Sequence, residues 1–153
     1  MPGGDERILF VDDEEDIVNM RTREIESYEV LIRMLDEHDE LIMPSGFLPT
    51  AERFGLSVDI DKWVIVNAIE TLVSQRRDMP NLRYSINLSG QTLTDPGICD
   101  LILQMLVSTG LSADALTFEV TETVAIADMA AAETFLSRLQ QIGCRTALDD
   151  FGS

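Results

Sequence analysis

The chain has 153 residues, 45% of them hydrophobic, with 11 basic against 28 acidic side chains and a formal net charge of −17. That length and composition suit one soluble globular domain or part of one, and the charge excludes partners held by clustered Lys and Arg, a nucleic-acid polymer or an anionic membrane surface among them. No run approaches the roughly 20 apolar residues of a membrane span; the lone His38 excludes zinc sites built on two or more imidazoles; and Cys99 and Cys144, in apolar contexts without a signal peptide, read as reduced core thiols of a cytoplasmic protein.

In chain order, "RILFVDD" (Arg7–Asp13) has the β-branched and aromatic content of a strand and "YEVLIRM" (Tyr28–Met34) that of a second, with a charged, turn-rich connection between them. Asp36–Pro49 carries loop signals, and "PTAERFG" predicts a short helix with Pro49 near its first turn and Gly55 after its last. Over Asp59–Gln75, Ile60, Trp63, Val64, Asn67, Ala68, Thr71 and Leu72 recur at helical spacing, which predicts an amphipathic helix. After the Pro80 turn, "LRYSINLS" reads as a strand, Ile98–Thr109 as a helix closed by Gly110, "LTFEVTE" as a strand, Met129–Ile142 as a helix closed by Gly143, and "RTALDD" as a strand. The five strands and the strand-helix alternation of the second half predict an α/β fold with parallel strands joined by right-handed crossovers.

Polar residues stand at the C-terminal ends of successive strands: Asn87 in "SINLS", Glu119 in "FEVTE", and Asp149 and Asp150 in "ALDD", spaced 32 and then 30 residues apart. One strand-helix unit takes up about 30 residues, so this period brings the strand ends to one rim. Glu29, in "EVLIR" on an earlier strand, is placed to join them. The set offers only oxygen ligands, the chemistry of a hard divalent cation such as Mg²⁺ or Mn²⁺. Taken singly, each carboxylate reads better as a cap for the next helix or a solvated strand end; it is the shared period that favours a metal. Glu122, three residues beyond Glu119, either ligates or fixes the following loop, and Arg33, four residues beyond Glu29, either holds a phosphate or pairs an acidic neighbour. Oxygen-ligated metal beside an Arg suggests phosphodiester hydrolysis, and spacing alone names no substrate.

The residues also carry a family resemblance. "EVL" at Glu29–Leu31 resembles the Glu-Ala-Leu signature of the EAL family of cyclic di-GMP phosphodiesterases, and "PSGFLPTAERFGL", "IDKWVI", "YSINLSGQTL", "FEVTET" and "ALDDFGS" follow in that family's order and spacing. The resemblance implies a metal-dependent hydrolase that converts cyclic di-GMP to linear pGpG in bacterial second-messenger signalling, on a modified TIM-like (β/α) barrel of eight strands. It implies Glu29, Asn87, Glu119, Asp149 and Asp150 as metal ligands, with Glu29, Asp149 and Asp150 catalytic and Asp150 bridging to a second cation and its water. It assigns Arg33 to a substrate phosphate and Glu122 to ordering the loop beside the site.

Two departures qualify the resemblance. "LDDFGS" is similar to the fifth barrel strand, so an incomplete barrel of about the first five strands is expected, with the later Lys, Glu and Gln of the site missing, as in a gene fragment or a trimmed chain. Such a piece is expected to be inactive alone and to self-associate through its open sheet edges as a homo-oligomer. At the front, Glu15 and Asp16 occupy the Gln and Pro positions of the family's first-strand Gln-Pro-Ile-Val run. Residues 1–15, with Asp12 and Asp13, resemble the first strand of a response-regulator receiver domain serving as a substitute strand, ahead of a partial EAL domain over 16–153. A non-catalytic nucleotide-binding or protein-interaction module is the alternative function.

Overall fold

A computed structural model describes residues 7–12, 17–18, 25–36 and 38–149. Seven strands form one sheet among the described residues: β1 (Arg7–Asp12), β2 (Ile17–Val18), β3 (Ile25–Leu35), β4 (Leu41–Ile42), β5 (Arg83–Asn87), β6 (Leu116–Thr121) and β7 (Arg145–Asp149). The path across the sheet is β1-β3-β5-β6-β7, and the short β2 and β4 pair with β3 off that path. β3, β5, β6 and β7 are mutually parallel, as the strand-helix rhythm predicts, whereas β1 lies antiparallel to β3 over its six residues. The five expected strands are the five on the path. "RILFVD" is thus the outer strand of the sheet, while Asp13, Glu15 and Asp16 lie outside the described residues.

Side chains alternate across a strand, and this sequence sorts them by polarity. On β6, Leu116, Phe118 and Val120 are buried while Thr117, Glu119 and Thr121 are half-buried. Tyr84 and Ile86 of β5 and Val30 of β3 continue the buried face. Helices cover that face: α2 (Ser57–Gln75), α3 (Gly97–Thr109) and α5 (Met129–Ile142) enclose a core in which Ile65, Ile69, Leu72, Ile98, Ile102 and Leu139 are fully buried. α3 and α5 both stop at a glycine with left-handed backbone, Gly110 at φ 75° and Gly143 at φ 110°, where the chain must turn back to the next strand.

Three expectations change. The first helix, α1, runs Pro44–Arg53 rather than starting at Pro49. Pro44 is the proline that fits the first turn; Pro49 costs a bond inside the helix, and the burial of Phe47 and Ala51 on one face offsets it. The buried stripe of α2 combines the row Ile60, Val64, Ala68, Leu72 with the row Asp61, Ile65, Ile69; Trp63, Asn67 and Thr71 lie on the half-buried flank. "LTFEVTE" is a strand only to Thr121, whose hydroxyl accepts from the Val124 N–H at 3.2 Å and so starts the short helix α4 (Glu122–Ala127).

Cys99 and Cys144 are free thiols buried in the core, and burial pushes the Cys144 thiol up to about 12. Iodoacetamide at about pH 8 is therefore expected to leave Cys144 unmodified in the folded chain and to modify it in denaturant, read by mass spectrometry. Phe118→Ala, which empties a fully buried site against the helices, is expected to cost about 3–5 kcal/mol in denaturant unfolding.

Candidate functional site

The face of the sheet turned away from the helices carries Glu29, Asn87 and Glu119. Parallel register sets Glu29 opposite Ser85, Asn87 opposite Glu119, and Thr121 opposite Asp149. Register partners in adjacent strands project to the same side, so Glu29, Ser85, Asn87 and Glu119 share one face. The contacts follow: Asn87 Nδ2 donates to Glu29 Oε1 at 3.0 Å, and Ser85 Oγ donates to Glu119 Oε1 at 2.7 Å. Two carboxylates thereby flank one amide across three neighbouring strands. The Asn87 N–H to Glu29 bond leaves the amide carbonyl oxygen as a ligand, and carboxylate, amide and carboxylate oxygens are the donors a hard divalent cation takes. On donor chemistry the described residues fit such an ion, although among them no three acidic, His or Cys side chains stand close enough to hold a metal by themselves.

Asp149 ends β7 with its backbone opposite Thr121, and Asp150 lies outside the described residues. Arg33 is on β3 four residues beyond Glu29, past the end of the parallel pairing with β5, and its guanidinium donates to the Ile32 carbonyl at 2.7 Å. Glu122 opens α4 immediately after β6, so a short helix stands where the sequence suggested a loop for it to fix.

Two contributors went unrecognised in the sequence. Ser85, buried on the polar face, holds Glu119; its place two residues before Asn87 in "SIN" was the available signal. Asp61, on the second turn of α2, accepts from the Ser89 N–H at 2.9 Å, from Ser89 Oγ at 2.8 Å and from the Thr92 hydroxyl. An acid in the otherwise apolar row Asp61, Ile65, Ile69 marks it. Asp61 and Asn87 both line a cleft of about 420 Å³ with Leu31, Leu48, Ser89 and Thr121. Burial raises the Asp61 carboxyl above its ordinary 3.8, partly countered by the Thr92 and Ser89 bonds.

A family model described as "EAL domain" matches residues 16–153. Cyclic di-GMP phosphodiesterase PdeF of Escherichia coli is 41% identical over 126 residues, which are 82% of this chain and 17% of PdeF. Cyclic di-GMP phosphodiesterase PdeB of Shewanella oneidensis is 35% identical over 82% of this chain and 15% of its own length. The chain thus spans less than a fifth of either relative. Among solved structures, the FimX EAL domain from Pseudomonas aeruginosa bound to c-di-GMP superposes with a TM-score of 0.82 at 29% identity, over 96% of this chain and 57% of that one. No helix of the described residues is long and apolar enough to cross a membrane.

A raised carboxyl contributes stability that is complete below its unfolded value and is lost as pH rises through the folded one. The melting temperature of the wild type relative to Asp61→Asn is therefore expected to fall as pH rises above 3.8, a difference that paired thermal melts from about pH 3 to about pH 7 would reveal and that parallel curves would refute.

Proposed function

The chain belongs to the EAL domain family, and from that premise we propose that its polar sheet face binds cyclic di-GMP and serves metal-dependent hydrolysis of that nucleotide to linear pGpG. The observation that carries this reading is the Glu29–Asn87 contact at 3.0 Å, with Glu119 opposite Asn87 in the parallel register. It joins three oxygen-bearing side chains from three strands at positions that resemble the family's ligands. In this reading Glu29, Asn87, Glu119, Asp149 and Asp150 hold Mg²⁺ or Mn²⁺, which when bound supplies charge neutralisation at the scissile phosphodiester and an acidified water.

The chain's own residues do the remaining work. Ser85 fixes the carboxylate of Glu119 by donating to it, so that one rotamer faces the ion. Arg33 grips a phosphate away from the reacting centre, and Glu122 orders the segment after β6, which begins with α4. Asp149 and Asp150 act with Glu29 as the catalytic acids. Action in the cytoplasm belongs to the same reading, as does self-association, for which the edge position of β7 and the exposure of Leu148 are the support. Light scattering of the chain is expected to give a dimer or larger species, and a monomer at all concentrations would remove that part.

The test compares three proteins by chromatography of pGpG formed in Mn²⁺: this chain, the chain extended to a full EAL barrel, and the extended form with Glu29→Ala. Product is expected from the extended form and at least roughly 100-fold less after loss of the Glu29 carboxylate. Equal turnover with Glu29→Ala overturns the assignment. Nucleotide binding without product in any of the three favours a non-catalytic binding module.

A further inference from the structure

Asp61 lies outside the set of residues that resemble the family's ligands, yet every hydrogen bond given to its carboxylate comes from the segment that follows Asn87. Oδ2 receives the Ser89 N–H, the Ser89 hydroxyl and the Thr92 hydroxyl, and the two hydroxyls lie 3.1 Å from each other. The same segment is tied at two further points: the Leu88 N–H donates to the Glu119 carbonyl at 2.9 Å, and Gln91 Nε2 donates to the Glu52 carbonyl at 3.0 Å. Asn87 is the last residue of β5, so its backbone is held on one side by the sheet and on the other by this segment alone. Residues 88–92 contain Gly90, and by composition such a turn has many conformations open to it. Of the three ties that restrain it, only the Asp61 carboxylate comes from a buried side chain.

We propose that Asp61 is the positioning residue for Asn87: by gathering three donors from Ser89 and Thr92 it locks the turn after β5 and thereby aims the Asn87 amide at Glu29 and the metal position. The dependence is mutual. A carboxylate 91% removed from solvent is costly unless its oxygens are bonded, and the donors it requires are all in this turn. The turn cannot move away without leaving a buried charge unpaired, which gives the Asn87 side chain a fixed base although Asn87 itself is exposed. The metal half of this inference rests on the reading of Asn87 as a ligand. The conformational half does not.

The experiment therefore has a metal-free arm. In the ¹⁵N-labelled chain without metal, the Asn87 side-chain amide pair is assigned by its loss in Asn87→Asp. Asp61→Asn and Thr92→Val are each expected to move that pair toward the position of a free amide and to speed its exchange with water, while the backbone amides of β6 hold their shifts. In the second arm, Mn²⁺ affinity by calorimetry is expected to fall about tenfold with Asp61→Asn and to change less than about twofold when the same substitution is made in Asn87→Ala. An Asn87 amide pair that is unmoved by Asp61→Asn and Thr92→Val overturns the proposal, as does a Mn²⁺ loss equally large with and without Asn87. Should Asp61→Asn fail to fold, Thr92→Val and Ser89→Ala delete donors while keeping the acid, and the same two readouts decide. Absence of Mn²⁺ binding by the wild type would count against the metal reading, and the amide signals would then decide the positioning by themselves.

Discussion

The site depends on the register of three parallel strands. Glu29 opposite Ser85 and Asn87 opposite Glu119 fix which side chains can meet, because a slip of one residue would carry every polar group to the helix side and every buried apolar group to the open side. The helix layer makes that slip costly. Tyr84, Ile86, Phe118 and Val120 are held against α2, α3 and α5 with almost no exposure, so the hydrophobic energy of the core is also what aligns the polar face. No residue of the site needs to supply its own alignment.

The second requirement is local. Strand register delivers Asn87 only to the end of β5, and from there the chain leaves the sheet. Its path is set by polar bonds from α2, β6 and α1, among which the Asp61 cluster is the one drawn from inside the core. An apolar residue at this position of α2 would make a simpler core and would leave the turn after β5 without its internal acceptor. The fold gives up some apolar contact here and gains a defined loop beside the site, a use of buried charge in which specificity counts for more than stability.

What could be read from the residues was whatever depends on period. Strands β5, β6 and β7 and the helices between them were legible because hydrophobic runs, Gly110 and Gly143 mark their extent, and the alignment of Asn87 with Glu119 followed from the strand-helix repeat. What depends on tertiary contact was not. The buried row of α2 includes Asp61, whereas the helical spacing of Ile60, Trp63, Val64, Asn67, Ala68, Thr71 and Leu72 turned the expected face toward Trp63 and Asn67; the donors of Ser89 and Thr92, 28 and 31 residues away, meet the buried acid. Ser85 was hidden for a related reason, since a serine inside a strand acquires meaning only from the carboxylate beside it. The start of α1 was misplaced because two prolines, Pro44 and Pro49, both carry a helix-start signal and packing chooses between them.

β3 carries two long ladders and two short ones. Its residues 27–30 pair in parallel with β5, and 30–35 pair antiparallel with β1, with β4 against its far end. Glu29 stands in the first ladder and Arg33 in the second, so the spacing of their Cα atoms is a backbone dimension, about 13 Å for four extended residues. Side-chain packing cannot easily tune such a span; only twisting or bulging the strand can. β3 therefore acts as a ruler. The points from which the Glu29 carboxylate and the Arg33 guanidinium reach out are thus set by the sheet, and only the length of the Arg33 side chain is free to narrow the gap between them.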